Sequence, residues 1–218
     1  MSAAEFQTML DGLARVAADR SATMFHKKYL GQWPDEENVT SGLLSALQTI
    51  LDMQGESRLN GLPRRFELRA KLTRKKEESE NGADALVRFR CNEQEWTINT
   101  MILIQAKRQE PGEGLRRADH DRLLSQVDKM LGHSAEASVM VYSARDGICL
   151  FPAVVARSLG SNDLFESSAI TWADFLSGIF CGAMGIRLPA GCRAAAWIGT
   201  PRLNSSSNWP RTIRHRLE

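Results

Sequence analysis

Several features that mark common classes of protein are missing from the 218-residue sequence. Its four cysteines are far apart and form no C-x-x-C pair, so we expect neither a zinc site nor a disulfide framework. The four histidines show no metal-ligand spacing. A Gly-rich phosphate loop ending in Lys-Ser/Thr is missing, and so is a Gly-x-Ser-x-Gly elbow. These absences argue against the zinc, P-loop and serine-hydrolase classes.

The sequence also lacks a secretory signal and an uninterrupted apolar run. Its first six residues have neither the basic start nor the apolar core of a signal peptide. The most apolar later stretch, residues 175–199, is interrupted by Arg187, Pro189 and Arg193, so it should not span a bilayer. We therefore expect a cytoplasmic protein with free thiols and no membrane partner.

An excess of charge of one sign is lacking as well, because 28 Lys and Arg residues face 26 Asp and Glu residues. This balance excludes a polybasic binder, although a neutral total can hide a basic surface. Seven basic residues accompany one acid in residues 64–76, and six arginines accompany one acid in residues 187–218. Either segment could follow a phosphate backbone, with Arg74 and Lys75 as candidate nucleic-acid contacts in the first. The alternative is a solvated strand edge and a solvated tail.

Hydrophobic periodicity predicts an α/β fold in which a central mixed sheet of four or five strands is flanked by helices. Apolar residues at helical spacing predict helices at residues 3–30, 35–55, 119–131 and 171–184. Period-two alternation and short apolar runs predict strands at residues 65–72, 84–90, 96–107, 137–143 and 147–151. Residues 75–82 are interpreted as a charged turn.

One domain is predicted for residues 1–188, with a helical part at 1–55 and a core at 56–188. From residue 189 to residue 218 the composition shifts to Gly, Ser, Asn, Pro and Arg without periodicity. This composition predicts an irregular basic tail.

Three residues on two predicted strands could carry chemistry. Asp84 follows Asn81-Gly82-Ala83 at a turn-to-strand junction, and Gln105 and Lys107 end the next strand, where they share a face. If the two strands are neighbours, Asp84 lies beside this pair. Carboxylate and amide oxygens can bind Mg²⁺, which acidifies a water and stabilises charge on phosphate oxygens. The group therefore suits metal-assisted phosphodiester hydrolysis, with Lys107 orienting the water or neutralising the phosphate.

Each of these motifs has an ordinary structural explanation when it is taken alone. A Gly-x-Asp sequence before a strand is usually a turn, and a Gln-x-Lys sequence on a strand is usually a solvated face. Their order, the strand context and the 21-residue spacing from Asp84 to Gln105 favour the functional interpretation.

Gly-Ala-Asp followed by a strand that ends Gln-Ala-Lys-Arg resembles the PD-(D/E)XK nuclease superfamily. The likeness is to its Gln-x-Lys variant, as in Mrr-type restriction endonucleases and uncharacterised bacterial defence-type nucleases. It covers roughly residues 35–145 and implies a restriction-endonuclease-like core with the order helix, three strands, helix, strand. It also implies a Mg²⁺-dependent endonuclease that hydrolyses DNA, with Mn²⁺ as a substitute, acting as a bacterial restriction or anti-phage defence effector.

The resemblance assigns roles to further residues. Asp84 and Gln105 become metal ligands, and Glu37, three residues before Thr40, becomes the acid carried over from the upstream helix. Helix phase leaves Glu36 open in its place. By the same resemblance, Gln126 on the helix after the lysine would contact a phosphate or the metal-bound water.

Arg108, which continues the motif, would hold a phosphate. The sequence departs from the pattern in two places. No proline precedes Asp84, and an amide stands at position 105 where an acid is usual.

The neutral Gln105 supports a second hypothesis, a catalytically inactive nuclease-like module that binds nucleic acid or a partner protein. A nuclease that acts on RNA, or one that a small molecule gates, is a third. Because two sites are needed to cut both strands together, a homodimer is expected for the first hypothesis. A regulatory protein or a small-molecule activator is a further possible partner of the nuclease.

Overall fold

The strands of the protein form one sheet, and helices precede, separate and follow them along the chain. A computed structural model describes residues 2–29, 36–57, 66–93, 96–109, 112–143, 147–158, 164 and 170–187. The helices are α1 (Ala3–Tyr29), α2 (Glu36–Ser57), α3 (Lys75–Asn81), α4 (Arg117–His133), α5 (Ala153–Ser158) and α6 (Trp172–Phe180). The strands are β1 (Phe66–Leu72), β2 (Ala85–Glu93), β3 (Trp96–Arg108), β4 (Ser138–Ser143), β5 (Gly147–Pro152), β6 (Ile170–Thr171) and β7 (Ile186–Arg187).

The predicted α/β class and the long elements are confirmed, and the short elements account for most of the differences. Residues 75–81 form helix α3, so the predicted charged turn is wrong. The segment lacks an apolar stripe, but the Glu77 carboxylate accepts the Arg74 N–H at 3.1 Å, a contact typical of a helix start. Helix α6 begins as predicted, where Thr171 Oγ1 accepts the Asp174 N–H at 3.1 Å. It ends earlier than predicted, before Gly182 with its φ of +69°.

The sheet has more strands than the four or five that were predicted. Six strands follow one another in the order β1-β2-β3-β4-β5-β6, and β7 additionally pairs with β3. The prediction is wrong because β6 and β7 have two residues each, too few to show a period. Strand β3 runs parallel to β4, which it reaches through α4, whereas the other pairs are antiparallel. The sheet is therefore mixed, as expected.

Side chains of β3 alternate between two apolar layers. Ile102, Ile104 and Ala106 belong to a core cluster that includes residues of α1, α2 and α6. Met101 and Leu103 belong to a second cluster that includes residues of α4 and α5. Because successive side chains on a strand point to opposite faces, odd-numbered positions of β3 face α4. We call this side of the sheet the α4 face.

Aromatic side chains connect the helices on the other side to the sheet. The ring of Phe25 in α1 stacks on that of Tyr142 in β4, with 5.7 Å between centroids. Phe89 of β2 stacks on Phe180 of α6 at 4.2 Å. Such ring pairs add to the stabilisation that burial alone provides. The positions of α1 and α6 over the sheet follow from these contacts.

No helix in the described part of the chain is long and apolar enough to cross a membrane. The predicted boundary after residue 188 and the predicted basic tail at 189–218 lie outside the described residues.

The start of α2 is tied to the sheet by a buried hydrogen bond, in which the Tyr142 hydroxyl donates to Thr40 Oγ1 at 3.0 Å. Replacing Tyr142 with Phe should lower the free energy of unfolding by about 1 kcal/mol, because Thr40 then loses a donor. Urea unfolding of Tyr142→Phe, Thr40→Val and the double variant measures the coupling between the two residues. Strictly additive effects would contradict a direct interaction.

Candidate functional site

The turn before β2 is stabilised by hydrogen bonds of Asn81 and Gly82, which fix its backbone conformation. Asn81 Oδ1 accepts the Ala83 N–H at 2.8 Å, and the Gly82 N–H donates to the Glu78 carbonyl at 2.7 Å. Gly82 has a φ of +76°, a conformation that glycine adopts without steric cost. The turn therefore ends α3 and leads directly into β2 through Ala83 and Asp84.

Helix α4 lies directly against this turn. A Cβ atom built on Gly82 would lie 2.1 Å from the backbone carbonyl oxygen of Gln126, far inside van der Waals contact. Only a residue without a side chain permits this approach of two backbones. Gly82 thus joins the middle of α4 to the segment that carries Asp84.

Main-chain hydrogen bonds hold Asp84 between two strands. Its N–H donates to the Ile104 carbonyl at 2.9 Å, and its carbonyl accepts the Thr73 N–H at 2.9 Å. Since Ala85 pairs with Ile104 in the β2–β3 register, Asp84 comes opposite Gln105. The antiparallel ladder brings these two predicted site residues together.

The side chains of Asp84 and Gln105 are in direct contact. Asp84 Oδ2 accepts hydrogen bonds from Gln105 Nε2 and from the Ala106 N–H, the latter at 2.8 Å. Gln105 Nε2 also donates to the Ala106 carbonyl at 3.1 Å. Gln105 is completely buried, yet its Oε1 atom has no hydrogen-bond partner. A buried amide oxygen thus lies beside a carboxylate with its acceptor capacity unused.

Lys107 belongs to the same face of β3 as Gln105. It is two residues further along the strand and only 6% exposed. Burying an ammonium group is costly unless hydrogen bonds or charges compensate it, so a lysine in this position is unusual for a solvated strand face. The structure therefore places a carboxylate, an amide and an ammonium along one end of β2 and β3.

Gln126 lies within the buried stripe of α4 and is 6% exposed. Its Nε2 atom donates to Glu78 Oε1 at 3.0 Å, and its Oε1 atom is buried without a partner. Arg122 Nη2 lies 3.3 Å from the same Glu78 oxygen. Lys129 Nζ donates to the Ser79 carbonyl at 2.9 Å. These contacts join α3 to α4 next to the Gly82 turn.

Glu37 is not brought to the other predicted site residues. It is exposed at the start of α2, whose apolar side chains belong to the cluster on the face opposite Gln105. Within the described part of the chain it makes no hydrogen bond or ion pair with Asp84, Gln105 or Lys107. The side chain of Glu36, the alternative, lies outside the described residues.

Three of the predicted nucleic-acid contacts are exposed, and one of them, Arg108, is an even-numbered position of β3 and so belongs to the face opposite Gln105 and Lys107. Arg108 is exposed at the end of β3, and Arg74 and Lys75 are exposed at the start of α3. Nearby, Lys71 Nζ lies 2.8 Å from Glu77 Oε1, and this hydrogen bond lowers the pKa of the Glu77 carboxyl group. The start of α3 therefore carries two exposed cations, Arg74 and Lys75.

Sequence reasoning missed Glu78 and Arg122, which contact Gln126 or its partner. Residues 75–81 contain no apolar residue, so hydrophobic periodicity gives no helical signal there. Arg74 followed three residues later by Glu77 is the one pattern that could have indicated a helix start. With that helix, Glu78 lies one turn before Gly82.

Two side chains of the candidate site, those of Asp84 and Gln105, offer oxygen atoms to a metal ion. In the described residues no group of three or more His, Cys, Asp and Glu side chains is arranged to hold a metal ion. Asp84 and Gln105 are hard oxygen donors, the type that Mg²⁺ prefers.

No protein-family model matches the chain, and no curated protein matches it either.

Replacing Gly82 with Ala should destabilise the protein by about 2–4 kcal/mol, because the methyl group meets the Gln126 carbonyl and the positive φ is strained. Gly132→Ala in the last turns of α4 is the matched control, since nothing lies within 4 Å of a Cβ there. It should be neutral or stabilise by up to about 1 kcal/mol. Urea unfolding measures both variants, and equal stabilities would contradict the close approach.

Proposed function

We propose that the protein is a metal-dependent nuclease that hydrolyses DNA phosphodiester bonds on a restriction-endonuclease-like core. The observation that carries the proposal is the hydrogen bond between Asp84 and the completely buried Gln105, with Lys107 more than nine-tenths buried on the same face. The order of elements from α2 to β4 supports it, because, apart from the short helix α3 between β1 and β2, it follows the order that the resemblance implies. A solvated strand face would not bury Gln105 and Lys107.

The residues present fit a divalent cation with oxygen ligands. Asp84 supplies a carboxylate, and the unpartnered Oε1 of Gln105 supplies a neutral oxygen that nothing in the described protein uses. When bound there, Mg²⁺ would lower the pKa of a water and neutralise charge that develops on the phosphate. Glu37, the predicted third ligand, lies apart from these two oxygens in the described part of the chain and is not needed for this arrangement.

Lys107 would act on the phosphodiester itself. A buried ammonium group interacts with a phosphate oxygen more strongly than an exposed one, because water screens the charge less. It would neutralise that oxygen or orient the attacking water. Helix α4 packs on this face of β3, and Lys107 is only 6% exposed, so little water reaches its side chain.

A second candidate is a nuclease-like module without catalysis, which binds nucleic acid or a partner protein. One observation favours it specifically. Asp84 Oδ2 already accepts two hydrogen bonds from the protein, so the Asp84–Gln105 pair also makes sense as a purely structural contact between β2 and β3. Metal binding separates the two candidates.

Purified protein should cleave plasmid DNA in the presence of Mg²⁺ or Mn²⁺. Lys107→Ala should reduce the rate by about 100-fold or more, since it removes a positive charge from the reacting phosphate. Lys107→Met retains most of the side-chain volume and should lose activity equally, which separates charge from packing. Lys27→Ala on α1, an exposed lysine on the other side of the sheet, is the control.

Equal cleavage by wild type and both Lys107 variants would refute this site. Calorimetry with Mn²⁺ distinguishes the second candidate. Binding that is lost in Asp84→Ala supports the enzyme, whereas no binding at millimolar Mn²⁺ supports the module.

DNA binding should depend on salt through the start of α3. Replacing both Arg74 and Lys75 with Ala should weaken binding to all sequences and reduce the slope of log K against log salt by about 2, because each phosphate contact releases counterions. Fluorescence anisotropy in EDTA measures the slope without cleavage. The double variant Arg20→Ala, Lys27→Ala removes the same charge from α1, and an equal effect there would contradict a defined path along α3.

A further inference from the structure

Two buried glutamines on the α4 face share one arrangement. In each, the side-chain N–H group donates to a carboxylate, Gln105 to Asp84 and Gln126 to Glu78. In each, the amide oxygen is buried and has no partner. Both side chains are more than nine-tenths buried.

The carboxylates determine which end of each amide is unpartnered. A carboxylate can only accept hydrogen bonds, so rotating either amide by 180° would place two acceptor oxygens against each other. Glu78 is itself held by Arg122, which lies 3.3 Å from the same oxygen that accepts the Gln126 N–H. The Gln126 oxygen is therefore the atom that faces away from Glu78.

The two glutamines belong to one region of the fold. The Gln126 backbone lies against Gly82, and Gly82 lies two residues before the Asp84 that contacts Gln105. Both residues lie on the layer between β3 and α4. A single turn thus connects the two carboxylate–amide pairs.

A buried carbonyl oxygen without a donor costs about 1–3 kcal/mol, and two of them in one region need an explanation. Each oxygen can take a donor that the protein itself does not supply. The ligand chemistry that suits two neutral oxygens and a nearby carboxylate is a hydrated divalent cation, which these oxygens bind directly or through its water protons.

We propose that Glu78 is a positioning residue of the candidate site, which holds the Gln126 amide so that its oxygen, together with that of Gln105, is presented to a hydrated divalent cation. The inference rests on the proposed metal-dependent function. Glu78 acts through Gln126 and touches neither the cation nor the phosphodiester. Glu78 thus orients a side chain of the site from its position on α3.

Mn²⁺ binding by the full chain tests this role without any need for activity. Gln126→Leu should weaken binding about 10-fold or more, because it removes the oxygen and keeps the volume. Glu78→Ala should weaken it to a similar extent, whereas Glu78→Gln should retain affinity within about threefold, since its amide oxygen still accepts the Gln126 N–H. Glu80→Ala on the same helix is exposed and serves as the control.

Rescue by Glu78→Gln shows that the role requires an acceptor for the Gln126 N–H and not a negative charge, and a merely structural role would leave the Mn²⁺ affinity of folded Glu78→Ala unchanged. Urea unfolding of each variant accompanies the calorimetry, and where Glu78→Ala does not fold, Glu78→Gln against Gln126→Leu makes the same comparison. Side-chain amide NMR signals give a second readout, because adding Mg²⁺ should shift the Gln126 signal in wild type and not in Glu78→Ala.

Failure of this inference and failure of the proposed function give different results. Folded Gln126→Leu and Glu78→Ala proteins that bind Mn²⁺ as tightly as wild type would overturn the role of Glu78, while cleavage by wild type would leave the nuclease standing. Loss of Mn²⁺ binding in the variants, without DNA cleavage by wild type, would support Glu78 and refute the nuclease. A wild type that binds no Mn²⁺ at millimolar concentration would overturn both.

Discussion

The contact between the Gly82 turn and the backbone of α4 is the constraint on which the candidate site depends. No side chain separates the two segments, since a Cβ on Gly82 would lie 2.1 Å from the Gln126 carbonyl oxygen. The same contact places Gln126 in the buried layer and Asp84 at the start of β2. Main-chain hydrogen bonds to Ile104 and Thr73 then hold Asp84 beside β3, and the Glu78–Gln126 hydrogen bond lies next to the same contact.

The polar groups of this layer are buried without a large excess of charge. Asp84 is stabilised by donors from Gln105 and Ala106, and Lys107 places a cation on the same face. A carboxylate at position 105 would replace a donor with a second anion beside Asp84, and like charges at such a distance repel. The amide therefore suits a fold that must be stable without a ligand, although it offers less charge to a cation.

Local patterns predict the Asp84–Gln105 contact, because strand alternation and an antiparallel connection are enough to place both side chains on one face. They do not predict α3, whose partners are distant in sequence: Gln126 is 48 residues from Glu78. Helix α3 depends on those polar contacts rather than on an apolar stripe, so periodicity does not reveal it. Strands β6 and β7 are not predicted for a related reason. Each has only two residues, too few to form a sequence pattern, and β6 pairs with β5 while β7 pairs with β3.

The distribution of unsatisfied atoms argues that this layer is more than a packing surface. In the described part of the chain three buried side-chain polar atoms have no partner, and they belong to Gln105, His120 and Gln126. All three residues are on β3 or α4, although the buried core extends over both faces of the sheet. In a stable fold nearly every buried polar group has a hydrogen-bond partner. Where no partner is present, an apolar side chain is more stable than a polar one. The two unused acceptor oxygens, those of Gln105 and Gln126, both belong to amides that donate to a carboxylate, and the ligand that we propose would supply what the fold leaves unmet there.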